Sequence, residues 1–389
     1  MNPELIRPVP ARAVPRNPYY LELAPSAQTA YAQVVDHAMI GSMHRTVADL
    51  SGAFARKTVA GKEYWYFQYR ELRALDDKSP IKQTYLGPRS ERLDRLIAAK
   101  QAARAVRVPT PSQLAMQAGA AVSLGNFAVA SKQLKVLKRL ADYGYFSAGG
   151  VLVGTHAFAC YGNMFGIAWG NFQMTQDLDF AYSGRSLSIA LPSDIQVNIH
   201  DAITSLEMGF LPSSKLDGLA GGTYVVPETP DFRLDFLTTA GRDQAELVHF
   251  PNLNLAMLPL KFMEFSLEDL QQTVVLSKDG AVLVNIPSPA RFALHKLIVA
   301  GERGPTFATK IRKDLWQAAA LLTYLADHQA YALGEAWLDL HRRGKGWRTR
   351  FEAGLQAMQS QLPDTVATVV RCRQLAADYA DMQAPEAGD

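Results

Sequence analysis

The sequence predicts an α+β protein, with strands and helices interspersed in mid-chain and a helical region after them. Three observations carry this. Between Gly150 and Thr238, short runs with apolar residues at every second position, such as "LDFAY" and "FRLDFLT", alternate with helical stretches. A hairpin pattern, "TVVLSKDGAVLVNI", follows, and beyond Pro289 the pattern is helical almost to the end. With 389 residues, 48% hydrophobic and 20% charged, the chain has the composition of a globular protein of two or three domains.

The elements follow in order. The first eighteen residues hold five prolines and read as an extended arm. Ser26 to Phe54 suits a helix. "GKEYWYFQYRELRA" then alternates as a strand, with Trp65, Phe67 and Tyr69 on one face and Tyr64, Tyr66 and Gln68 on the other; "DDKSP" turns it back into "IKQTYLG". Pro88 and Ser90 open an amphipathic helix to about Ala105. "VPTPS" (108–112) reads as a linker, and Gln113 to Tyr143 as a second helical region. The centre reads strand (Gly150 to Val153), Gly-Thr turn, helix (His156 to Tyr161), loop and strand (Leu178 to Tyr182). A helix near Ile195 to Met208 comes next, then a hairpin broken by Pro227 and Pro230, then the second hairpin turning at Asp279-Gly280. The C-terminal helices are expected to break at Gly304-Pro305, Gly334, Gly344 and Pro363. The expected division is 1–110 for the arm, helices and hairpin, 111–287 for the core, and 288–389 for a helical domain.

Bulk properties narrow the function class. A net charge of +3 permits a nucleic-acid partner without arguing for one. The two cysteines, Cys160 and Cys372, are far apart and form neither a disulfide framework nor a zinc motif. No apolar run approaches membrane-spanning length, and prolines stand where a signal peptide needs an apolar stretch, so a cytoplasmic protein is expected.

The chemistry sits in three places. In "TQDLDF", Leu178 and Phe180 share one strand face and Asp177 and Asp179 the other. Two carboxylates so placed repel, and each raises the other's pKa unless a cation sits between them. Upstream, Gly154-Thr155 follows an apolar strand and precedes a helix; without a Cβ, backbone amides can approach a phosphate there. Downstream, "DFRLDFLT" sets Asp231, Arg233 and Asp235 opposite Phe232, Leu234 and Phe236. Asp235, mid-strand between apolar residues, is the favoured third acid, with Asp231 its rival. Three carboxylates beside a phosphate-binding turn are a ligand set for two divalent ions, Mg²⁺ or Mn²⁺, in phosphoryl displacement.

"GGVLVGTHAF", "TQDLDFAY" and "DFRLDFLT" together resemble the DNA polymerase β-like nucleotidyltransferase superfamily, in particular its bacterial stand-alone branch of toxin–antitoxin and abortive-infection proteins. The likeness spans roughly Phe146 to Leu325, with "NMFGIAWGNFQM" expected as a loop insertion near the site. It implies a nucleotidyltransferase-type mixed sheet. It also implies an NTP co-substrate, transfer of NMP to a hydroxyl with release of pyrophosphate, and metal ligation by Asp177, Asp179 and Asp235. By the match of "ARFALHKLIVAGERG" and "KIRKDLWQAA", Lys296, Arg303, Lys310 and Asp314 hold the triphosphate or brace the site. An antitoxin-like partner protein is implied as well.

Blander readings stand beside these. Lys296 is also what a surface lysine lying along an apolar stripe looks like, and Asp314 can pair with Lys310 on its own helix. His156 reads as the start of a helix rather than as a base. The acceptor is expected to be RNA, because "KIRK", "HRRGKGWRTR" and the aromatic hairpin suit a polyanion. A protein or small-molecule hydroxyl is the alternative acceptor. A catalytically inactive interaction module of the same fold, or a nucleic-acid-binding protein led by the hairpin, are the alternatives to an enzyme.

Overall fold

Two neighbouring strands bring three acids together, and the rest of the architecture explains why. A computed structural model of the chain describes residues 17–44, 52–59, 61–70, 81–91, 93–98, 111–170, 174–182, 197–213, 222–240 and 247–383. The expected turn at "DDKSP", the end of the helix to Ala105 and most of the proline-rich arm lie outside these residues.

The N-terminal elements are β1 (Tyr20–Glu22), α1 (Pro25–His44), β2 (Gly52–Val59), β3 (Lys62–Arg70) and β4 (Ile81–Pro88). α1 is described as far as His44, and Gly52 to Val59, whose start falls within the helix expected to Phe54, joins the hairpin as a third strand instead. The cause is cross-strand pairing: Phe54 lies opposite Phe67 with ring centroids 5.3 Å apart, a contact helical propensity does not register. Pro111, expected in a linker, opens α2 (Pro111–Ser123), as a proline at a first helical position can. α3 (Ser131–Asp142) follows.

The central sheet is built from β5 (Gly150–Val153), β7 (Leu178–Tyr182), β10 (Arg233–Thr239) and β12 (Leu255–Leu260) with β11 (Val248–Phe250), in the order β11-β12-β10-β7-β5. β7 and β12 run parallel to β10, while β5 runs antiparallel to β7. β9 (Thr223–Val225) pairs antiparallel with the start of β10, giving the expected hairpin, and carries the short β8 (Leu211–Pro212). α4 (Gly154–Phe165) leaves β5 directly and ends at Gly166. β6 (Ile167–Trp169), inside the segment expected as a loop insertion, pairs with β1 instead, so the chain start is stitched to the core. α5 (Ile199–Thr204) is shorter than expected, and α6 (Met263–Leu267) is a single turn.

The inner face of the sheet is apolar throughout. Leu152, Leu178, Phe180, Leu234 and Phe236 are fully buried, and Phe180 stacks on Phe236 with centroids 5.1 Å apart. Each such aromatic burial contributes on the order of 2 kcal/mol or more, so the alternation in β7 and β10 fixes which face the acids occupy.

Behind the core lie the hairpin β13 (Leu270–Ser277) and β14 (Gly280–Pro287), then α7 (Pro289–Glu302), α8 (Ala308–His328), α9 (Ala330–Arg342), α10 (Lys345–Gln361) and α11 (Val366–Gln383). The breaks at Gly304-Pro305, Gly344 and Pro363 occur as expected. Gly334 does not break α9; a Cβ there would stand 2.8 Å from the Leu375 carbonyl oxygen, so glycine permits a close crossing with α11. Gly301 and Gly354 do the same for α7 and α10, where a Cβ on either would come within 2.0 Å of the other helix's carbonyl oxygen. That crossing anchors α7, which carries Lys296. Among the described residues no helix is long and apolar enough to cross a membrane.

Candidate active site

β7 and β10 lie side by side in parallel with Asp179 opposite Asp235, and Asp177 immediately precedes β7. The approach to β7 is held by α3. Gln133, buried in its first turn, donates to the carbonyls of Thr175 at 3.4 Å and Gln176 at 3.2 Å, and Lys132 donates to the Gln176 side chain at 2.7 Å. The result brings one carboxylate oxygen each from Asp177, Asp179 and Asp235 within 4.8 Å of one another. Asp231, the rival third acid, is exposed in the turn before β10.

Asp179 is the electrostatic centre. It keeps part of its surface accessible while its carboxyl is surrounded by protein. Burial, then Asp177 and Asp235, push it up to about 7, against the downward pull of Lys296 and Lys313. Arg233, two residues before Asp235 on the same strand face, supplies a counter-charge. Its Nε donates to Asp235 Oδ2 at 2.9 Å and its Nη2 lies 3.7 Å from Asp177 Oδ2. Thr223 Oγ1 donates to the other Asp235 oxygen at 2.7 Å. The third acid is therefore oriented from both sides.

Gly154 packs directly against this cluster. Its φ is +65°, and a Cβ there would lie 2.1 Å from Asp179 Oδ2. No side chain fits, so the first turn of α4 comes up against the acids with its amides unscreened. Thr155 is buried, and its hydroxyl accepts a hydrogen bond from Lys313 Nζ at 3.0 Å. His156 follows in the same turn, buried, with neither ring nitrogen hydrogen-bonded within the described residues. Burial lowers its pKa to about 4, Asp177 opposing the shift, so the ring stays neutral near pH 7 inside the first turn of α4.

Of the four residues implied from the C-terminal helices, three meet one another. Asp314 is buried and accepts from Lys296 Nζ at 2.5 Å and from Arg303. Burial alone would raise the Asp314 carboxyl, but Lys296 and Arg303 outweigh it and hold it below the usual carboxylate range. Lys296 and Arg303 are thus tied to an internal acid, with Lys296 still near enough to act on Asp179. Asp314 does not pair with Lys310, which is exposed near the start of α8. The lysine that reaches the Gly-Thr turn is Lys313, whose own pKa is lowered by burial and by Lys296.

Sequence reasoning missed Lys313, Thr223 and the role of Arg233. Strand alternation already placed Arg233 beside Asp235, so its signal was present. For Lys313 the signal was its place next to an acid that a helix rich in alanine and leucine would bury. Thr223 depends on the register of β9 against β10, which no local pattern gives. The "HRRGKGWRTR" cluster is less basic than its sequence: Arg343 pairs with Glu268 and Asp339, and Arg350 with Glu302.

The donor set suits a hard divalent cation. It offers only carboxylate oxygens, repelling in the absence of an ion, with open backbone at Gly154 beside them. A family model described as nucleotidyltransferase matches residues 131–342, which include every residue of this cluster. No curated protein and no solved structure matches the chain.

Proposed function

The chain belongs to the nucleotidyltransferase family, and from that premise we propose that it transfers a nucleoside monophosphate from an NTP to an acceptor hydroxyl with release of pyrophosphate. The observation that carries the reading is the convergence of Asp177, Asp179 and Asp235 against the first turn of α4. Asp177 and Asp179 would hold two divalent ions, Mg²⁺ or Mn²⁺, and Asp235 one of them; bound there, the ions stabilise charge on the attacking and leaving oxygens.

The chain's own groups do the rest. Gly154 and Thr155 offer backbone amides and a hydroxyl to the β- and γ-phosphates, at the positive end of a twelve-residue helix. Lys313, already bonded to Thr155, neutralises the terminal phosphates, with Lys296 behind it. Arg303 and Asp314 fix Lys296 in place. Asp235 takes the proton of the acceptor hydroxyl as that oxygen bonds to the α-phosphorus; the bond to the β-phosphate oxygen breaks, and pyrophosphate leaves with the electron pair. Holding Asp235 by Thr223 and Arg233 aims one carboxylate at the incoming hydroxyl.

RNA is the acceptor class we propose. Lys310 and Arg312 on α8, and Arg342 and Lys345 after it, remain exposed cations, and RNA carries a terminal hydroxyl within a polyanion. The test is equilibrium dialysis of each NTP with Mg²⁺ and with EDTA. Binding that needs the metal, and is lost in Asp179→Asn, is expected; equal binding under both conditions overturns the reading.

A further inference from the structure

The three-stranded sheet β2-β3-β4 is hydrogen-bonded to no other strand among the described residues, and its two faces differ in kind. On one face lie Phe54, Trp65 and Phe67, with Phe67 buried and an ion pair, Arg56 to Glu63, at 2.9 Å. On the other, three tyrosines gather. Tyr85 lies opposite Tyr66 in the register, with ring centroids 5.4 Å apart, and 6.1 Å from Tyr64; it is 55% exposed. Lys57 sits 4.8 Å from the Tyr66 ring centroid and donates to Gln83 at 2.8 Å. Gln68 and Gln83 face each other in the next register position.

We propose that this tyrosine face binds single-stranded RNA, stacking bases on Tyr66 and Tyr85. Charge decides between RNA and a protein partner: among the described side chains the tyrosine face carries the cation Lys57 and no acid, because the acid of these strands, Glu63, lies on the opposite face paired with Arg56. A tyrosine-rich patch for a protein partner needs no such excess. A base needs what is here: flat rings, a cation among them, and side-chain amides beside them able to pair with base edges. The sheet also precedes residues 131–342, the part matched by the nucleotidyltransferase family, so it lies outside the segment that supplies the NTP half of the reaction. Naming the bound strand as the acceptor rests on the transferase reading; the binding itself does not.

The experiment measures affinity of the full chain for a fluorescein-labelled single-stranded RNA of about 12 nucleotides, a length within the usual span of such platforms, by anisotropy without NTP. Replacing Tyr66 and Tyr85 together by alanine is expected to weaken binding roughly ten-fold or more, whereas the pair of phenylalanine substitutions keeps it, since stacking needs the ring and not the hydroxyl. Both variants should retain Mg²⁺-dependent NTP binding, which separates failure of this proposal from failure of the transferase reading. No RNA binding by the wild type, an unchanged affinity in the alanine variant, or a loss in the phenylalanine variant equal to that in alanine would overturn it.

Discussion

Replacing Asp179 by asparagine should stabilise the metal-free protein while destroying its metal site. In the folded chain the Asp179 carboxyl is raised from 3.8 to about 7 by burial and by Asp177 and Asp235. Below about pH 4 the group is protonated in both folded and unfolded states and has no net effect. Between 4 and 7 the unfolded chain has lost its proton and the folded chain has not, so stability falls as pH rises. Above 7 the full cost is present; a shift of about three units corresponds to roughly 4 kcal/mol as an upper figure. Asparagine is nearly isosteric and carries no charge. At pH 8 Asp179→Asn should therefore melt at most about 5 °C higher than the wild type, given the usual unfolding entropy for a chain of this length. The two should converge towards pH 4. Adding Mg²⁺ or Mn²⁺ should raise the wild-type melting temperature and leave that of the variant unchanged. Scanning fluorimetry across pH 4 to 8.5, with and without the ion, reads all of this. A variant less stable than the wild type at pH 8, or a wild type indifferent to divalent ions, would show that Asp179 is neither a strained buried carboxylate nor a metal ligand.

Three further outcomes follow from the same geometry. Gly154→Ala, the smallest possible side chain, should abolish NTP binding in dialysis and lower the melting temperature, because its Cβ would lie 2.1 Å from Asp179 Oδ2 at a left-handed φ. Lys313→Ala should weaken NTP more than the corresponding monophosphate, by about ten-fold in the ratio of dissociation constants, the usual order for one charged hydrogen bond; Lys310→Ala should leave that ratio unchanged. Arg233→Met should tighten Mn²⁺ binding to the nucleotide-free protein, read by calorimetry, because the guanidinium now shares Asp177 and Asp235 with any incoming cation.

Much of the site was legible because it lies on strands. β5 and β7 have the predicted bounds, and period-two alternation alone put Asp179 and Asp235 on the face away from Phe180 and Phe236. What failed to read out depends on partners distant in sequence. β2 forms because Phe54 meets Phe67, and β6 because Ile167 to Trp169 meets Tyr20 to Glu22; neither partner is visible in a local window. The assignment around Asp314 shows the same limit. An aspartate in "KIRKDLW" can pair along its own helix with Lys310, yet it turns inward to Lys296 and Arg303, two residues on or just beyond the preceding helix. Gly334 reads as a helix break because propensity disfavours it within a helix, whereas close packing against α11 requires it.

We propose that Asp177, Asp179 and Asp235 together drive metal-dependent nucleotidyl transfer. Incubating the protein with each α-labelled NTP, Mg²⁺ or Mn²⁺, and separate pools of RNA, protein and small molecules tests it most directly. One NTP is expected to label the RNA pool with pyrophosphate released in equal amount, and Asp179→Asn to abolish both. Label appearing at the same rate in wild type and variant, or in no pool while NTP is bound, would contradict it.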